Sequence, residues 1–176
     1  AVSEADQING AGAMMALNFK TKANEKINVK VGLSYTSIDN AKLNLETEAA
    51  DLSFDKALAA TEKVWEESLG RIMVYGGSED SKIKFYTGLY HAILGRGLAS
   101  DVNGATVGMI PAGEDGKPKH HHYNTDAVWG AYWNLTQLWM IAYPEYYNEF
   151  VNSQLLVYKD AGWLGDGIAN SKYVSG

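Results

Sequence analysis

The sequence predicts an α+β chain in which the end of a sheet domain leads through a helical linker into the first helices of a larger helical domain. Three observations carry this. Residues Lys26 to Tyr35 alternate strictly, with Ile27, Val29, Val31, Leu33 and Tyr35 on one face and Asn28, Lys30, Gly32 and Ser34 on the other, which is the period of a half-buried strand. After Asp39 the spacing of apolar residues becomes helical. Further on, three helical runs are apolar on more than one face, so each needs neighbours on at least two sides, more than this chain can supply.

Taken in order, Gly12 to Lys20 is a mixed apolar run, joined through Thr21-Lys22-Ala23-Asn24-Glu25 to the alternating segment. This reads as a hairpin with one wet face. Two strands alone are marginal in water, so the hairpin is expected to belong to a larger sheet. Asp39 to Leu69 reads as a helical linker, with a second start at Ser53 and a stop at Gly70. Arg71 to Tyr75, before Gly76-Gly77, reads as a single strand. Ser78 caps a helix carrying Ile83, Phe85, Tyr86, Leu89, Tyr90 and Ile93, and Gly95 ends it.

Arg96 to Tyr123 is an irregular connection rich in Gly and Pro, longer than compact domains usually carry without a functional reason. Next comes the stretch around which the chain is organised, Tyr123 to Trp139, with three of the five tryptophans. Thr125-Asp126 reads as its cap, and the helix reads as continuous and enclosed by others, because Val128, Trp129, Tyr132, Trp133, Leu135, Leu138, Trp139 and Ile141 go nearly all the way round. Pro144 ends it and opens an antiparallel partner that runs to Gly162. A Gly-rich loop, Trp163 to Ser171, follows.

Composition excludes several functions. The net charge of −6, with Lys and Arg scattered singly, leaves no basic face for the phosphate contacts that dominate nucleic-acid binding. No apolar run reaches membrane-spanning length, and the first residues do not form a signal peptide. An opening on Ala1 and an end at Ser-Gly suggest a processed or cut piece. With no cysteine, disulfides, thiolate metal sites and cysteine nucleophiles are absent.

Candidate chemistry is carried by acids and aromatics. His120-His121-His122 are adjacent in a loop, where side chains diverge, so a solvated loop is the better reading than a metal site. His91, between Tyr90 and Ala92, reads as a core histidine. No Gly-x-Ser-x-Gly is present, and Gly165-Asp166-Gly167 lacks the strand and helix that frame a phosphate loop. Asp101, Asp126, Asp160 and Asp166 lie near helix ends and loops, and two carboxylates flanking a sugar suit glycoside hydrolysis. Trp129 beside Asp126 could offer a sugar an indole face and a carboxylate. The plainer reading makes these aromatics core and Asp126 a helix cap worth about 1 kcal/mol.

The order of five blocks resembles glycoside hydrolase family 92. They are Phe85-Tyr86-Thr87-Gly88-Leu89-Tyr90, Ser100-Asp101-Val102-Asn103-Gly104, Tyr123 to Tyr132 around Trp129, Asn152-Ser153-Gln154-Leu155, and Gly162-Trp163-Leu164. Gly32 to Ala41, with Asn44-Leu45, is similar to the family's passage from sheet domain to linker, so the resemblance runs from about Val29 onward. It implies exo-acting α-mannosidases, mostly bacterial and prominent in Bacteroides-type organisms. The implied fold is an N-terminal β-sandwich ending in residues 1–38, a helical linker with a short strand in 39–77, and the start of an (α/α)6 barrel in 78–176.

The resemblance further implies inversion, with a Glu general acid and an Asp general base, and Ca2+ that binds mannose hydroxyls and helps distort the ring. These carboxylates and the calcium ligands are expected beyond Gly176, so no catalytic or metal-binding residue is assigned in this chain, which alone is expected to be inactive. Trp129 matches the family's sugar-contacting Trp in Trp-Asp-Thr-Tyr-Arg, but Gly130 stands for the Asp and Trp133 for the Arg. Trp163 matches within Gly162-Trp163-Leu164, whereas Gly165-Asp166-Gly167 replaces Pro-Arg-Trp. Asp126 and Asp166 are therefore the candidates to replace the lost polar contacts, and the candidate substrate-binding residues are Trp129, Asp126, Asp166 and Trp163. The implied partners are a mannoside glycan and the rest of the same polypeptide, and the implied location is the periplasm, the cell surface or the medium. Two alternatives stay open: a non-catalytic glycan-binding or scaffold protein on this fold, and a different (α/α)6-barrel glycosidase.

Overall fold

The computed structural model describes residues 10, 12, 14–95, 97–106, 119–125 and 128–164, and the backbone of 168–169 and 172–173. Its helices are α1 (Ile38–Ala49), α2 (Phe54–Leu69), α3 (Glu79–Leu94), α4 (Val128–Tyr132), α5 (Leu135–Ala142) and α6 (Pro144–Ala161). A two-stranded antiparallel pair, β1 (Ile168–Ala169) and β2 (Lys172–Tyr173), follows, with Ile168 opposite Tyr173 and Ala169 opposite Lys172. That pair falls at the end of the Gly-rich stretch read as loop.

Local chemistry sets the helix ends. Ser37, Ser53 and Ser78 are extended N-caps whose hydroxyls accept from the backbone N–H groups of Asn40, Lys56 and Ser81. Each satisfies a donor that the helix cannot, worth about 1 kcal/mol. Gly162 closes α6 at φ +79, a left-handed position that costs glycine nothing, and its N–H donates to Tyr158 O.

The core lies where α3, α4, α5 and α6 meet, built from Leu89, Ala131, Trp139, Tyr143 and Phe150. Trp139 is fully buried. Its ring packs edge-on against Tyr146 at 5.0 Å and Phe150 at 5.3 Å, and its indole N–H donates to Ala92 O at 3.1 Å. A buried indole thus keeps both its packing and its polar partner. Arg71 ties the end of α2 to the start of α6 through Glu145 at 2.9 Å and stands over the Tyr143 ring at 5.3 Å.

Four expectations need correction. The helix predicted across Thr125 to Ile141 is two helices, interrupted at Trp133-Asn134, where Asn134 adopts φ −159. Gly130 and Asn134 are weak helix formers, and Gln137 Nε2 donates to the Tyr132 carbonyl at 3.3 Å, so the break is partly repaired. Nor is this stretch enclosed: Trp129, Tyr132, Trp133, Met140 and Ile141 are all more than half exposed. His91 is exposed as well, its ring 5.5 Å from that of Tyr90.

The fourth concerns strands. Among the described residues neither 14–35 nor 71–75 forms one. The hairpin's turn is present: Asn24 sits at φ +65, Glu25 N–H donates to Lys22 O at 3.1 Å, and the Glu25 carboxylate accepts from Lys22 N–H at 2.8 Å. The arms stay unpaired, as an isolated hairpin's small apolar contact does not offset ordering two strands in water. The second segment instead lies extended along α1, where Lys30 Nζ donates to Ala49 O and Ala50 O and Leu33 O accepts from Asn44. Residues 71–75 are likewise unpaired, and Val74 N–H donates to the Tyr86 hydroxyl at 3.4 Å.

Candidate functional site

The described parts of the connection after α3 are held together by backbone hydrogen bonds. Leu98 and Tyr123 form an antiparallel bridge, Ala99 N–H donates to His122 O at 2.8 Å, and Asn124 N–H to Gly97 O at 3.1 Å. At the tip, Gly104 takes φ +82 and donates to Asp101 O at 2.7 Å, while Asp101 N–H donates to Ala105 O at 2.8 Å. This tight turn delivers the Asp101 carboxylate to α1.

Asp101 is only 7% exposed. Its Oδ1 accepts from Asn44 Nδ2 at 2.8 Å, and its Oδ2 accepts from Ser34 Oγ at 2.9 Å, Asn40 Nδ2 at 3.1 Å and the Thr36 hydroxyl. Burial works to raise its pKa, but the hydrogen bonds from Thr36, Asn44, Ser34 and Asn40 together outweigh it and hold the group below 3.8. Asn44, itself buried, donates to Leu33 O at 2.7 Å and accepts from Val102 N–H at 3.0 Å. Asn103 Nδ2 donates to Asn40 Oδ1 at 3.0 Å. Four donors, three of them on Oδ2, favour the ionised carboxylate and make it a poor base. Asp101 therefore leaves the set of acid–base candidates.

Beside this joint opens a cleft of about 920 Å³, with Tyr35, Glu48, Asp101, His120, His121 and Glu149 among its walls. The three histidines meet different surroundings. His120 Nδ1 lies 2.8 Å from His121 O, and His121 Nδ1 lies 2.9 and 3.1 Å from the two oxygens of Glu149. His122 is half-buried, and burial, followed by the charge of His120, lowers its pKa. Tyr123, pushed up to about 12 by burial, by the charge of Glu149 and by a hydrogen bond with it, stays neutral at any physiological pH. Fully buried Ser153 holds this loop to α6, accepting from Tyr123 N–H at 2.9 Å and donating to Glu149 O at 2.8 Å.

Of the residues proposed to touch sugar, Trp129 lies in the first turn of α4 at 55% exposure and Trp163 just past the α6 cap at 53%. Neither lines the cleft beside Asp101. Asp126 and Asp166 lie outside the described residues. Asp160 is exposed near the end of α6. The joint itself was not anticipated. Its only local signal is Asn40 and Asn44, one helical turn apart on α1.

Helices packed around Trp139, with an extended segment held to α1 and to Asp101, make up the described fold, and comparison gives its family. Residues 40–175 match the model of the glycosyl hydrolase family 92 catalytic domain, and the chain belongs to that family. Among solved structures it is similar to the family GH92 α-mannosidase BT3965 from Bacteroides thetaiotaomicron, with 28% identity and a TM-score of 0.63 over 72% of this chain and 16% of that one. The same enzyme in complex with mannoimidazole matches equally. The gh92 family glycosyl hydrolase ccman5 shares the fold, with 23% identity and a TM-score of 0.62 over 78% of this chain and 19% of that one. The match thus spans less than a fifth of these proteins' length. A search among curated proteins gives no match.

Proposed function

We propose that this chain is part of a glycoside hydrolase that removes terminal α-linked mannose from glycans by an inverting, calcium-assisted displacement. The match of residues 40–175 to the family 92 catalytic domain carries the reading. Likeness to an α-mannosidase that also has a mannoimidazole complex supports mannose as the sugar. In this reading residues 1–38 finish a β-sandwich, 39–77 form the linker and 78–176 open an (α/α)6 barrel. The exposed faces of α4 and α5 are the surfaces that the remaining polypeptide covers. The general acid and base lie beyond Gly176. Among the described residues no group of three His, Asp or Glu is placed to hold a metal ion. Trp129 and Trp163 stack on sugar faces, with Asp126 and Asp166 supplying hydroxyl contacts. Turnover takes place in the periplasm or outside the cell, where glycans are met.

The full-length protein is expected to release mannose from α-mannosides, β-anomer first by NMR, with activity lost to a chelator and restored by Ca2+. Release of the α-anomer first would refute inversion. Asp126→Ala and Asp166→Ala are expected to raise KM; unchanged kinetics in both would remove them from the site. One observation favours a second reading: Gly130 and Trp133 stand where the family carries Asp and Arg. A glycan-binding protein without turnover would bind mannosides by calorimetry and release nothing.

A further inference from the structure

We propose that Asp101 is a positioning residue, an ionised pin that fixes the loop after α3 onto residues 33–44 and so sets one wall of the cleft beside it. The inference goes beyond the hydrolase reading and rests on it only in its kinetic test.

Four neutral side chains donate to this carboxylate, Ser34, Thr36 and Asn40 to Oδ2 and Asn44 to Oδ1. Hydrogen bonds to an ionised acceptor are roughly twice as strong as neutral ones. A neutral amide at the same place would aim its NH2 at groups that are themselves donating, so shape alone cannot replace the charge. The four donors come from two stretches, the extended segment before α1 and the first two turns of α1, both about sixty residues away in sequence. The pin therefore joins parts of the chain that no local preference holds together. Backbone and side-chain bonds on either side reinforce it: Val102 N–H to Asn44 Oδ1 at 3.0 Å, Asn103 Nδ2 to Asn40 Oδ1 at 3.0 Å, and Gly104 N–H to Asp101 O at 2.7 Å.

The test is hydrogen exchange on the full-length protein, comparing wild type, Asp101→Asn and Thr36→Val. Exchange at residues 98–105 and in the first turns of α1 is expected to quicken about tenfold or more in Asp101→Asn, and less in Thr36→Val, with α6 unchanged. Wild-type exchange at 98–105 in both variants would overturn the proposal. Equal acceleration everywhere, α6 included, in both variants would overturn it too, since that marks general core stability. If Asp101→Asn fails to fold, Thr36→Val alone decides between these outcomes. Where the wild type turns over an α-mannoside, Asp101→Asn is expected to raise KM severalfold while both limbs of the kcat pH profile persist. Loss of a limb would make Asp101 an acid or base and refute the pin. A wild type without turnover would count against the hydrolase reading alone, since the exchange result stands apart from it.

Discussion

The Asp101 joint and the α4–α5 face are opposites. The first is polar, with Asp101 and Asn44 buried at its centre, and its groups find their partners within this chain. The second is apolar and open, with Tyr132, Trp133 and Ile141 at 68%, 73% and 78% exposure. Hydrogen bonds are directional and saturable, so a polar network can be complete in a small piece. Burial of apolar surface is neither directional nor saturable, and a face stays unsatisfied until something covers it. The polar joint therefore keeps its meaning in any larger assembly, whereas the aromatic face acquires its meaning only there.

The largest effect should come from the one point where the aromatic stretch is already closed. Trp139→Ala is expected to cost about 3–5 kcal/mol in denaturant unfolding, from lost burial and the cavity it leaves. Ile141→Ala is the contrast, expected to change the stability of this chain by less than about 0.5 kcal/mol. A much larger cost in the full-length protein would show that the face is covered there. On the polar side, Asn44→Ala is expected to cost about 1–3 kcal/mol, because it strands the Val102 N–H, the Leu33 carbonyl and one Asp101 oxygen together.

Acid should loosen the joint in a fixed direction. The folded state holds the Asp101 pKa below its ordinary value, so its stabilising contribution is full above about 3.9 and is lost as the pH falls through the lowered folded value. Glu48, Lys119, His120, His121 and Glu149 also line this cleft. Asp101→Asn should therefore flatten the acid limb of the stability curve, and an unchanged limb would assign it to those neighbours. The smallest effect is local: Ser53→Ala should lower stability by about 1 kcal/mol, by circular dichroism melts, through the lost α2 cap.

The same division explains what could be read from sequence. Ser37, Ser53 and Ser78, the stops at Gly70 and Gly95, and Pro144 act within one turn of where they stand, and the helix ends fall where these residues put them. The interruption at Trp133-Asn134 was hidden by the aromatic run, whose apolar count is the same whether the backbone continues or breaks, although Gly130 and Asn134 are local signs of it. Asp101 was visible as an acid, but its donors stand 57 to 67 residues away, and nothing in a linear pattern pairs them. The period-two reading of 26–35 survives in an altered form. Lys30, Gly32 and Ser34 turn to α1 and the Asp101 joint, and Val29, Val31 and Leu33 stay exposed. The alternation marked two faces, but without a neighbouring strand it could not make a sheet.

Gly32 fixes which side of that segment remains open to the rest of a protein. A Cβ there would collide with the Ala41 carbonyl and come within 2.9 Å of the Leu45 Cβ, so the backbone rests directly on α1 with no room for a side-chain layer. Any second layer must approach from the opposite side, where the aliphatic residues already wait. The absent Cβ thus acts as an orientation mark: any side chain at this position would push the extended segment off α1 and disturb the contacts that Lys30 and Ser34 make on either side.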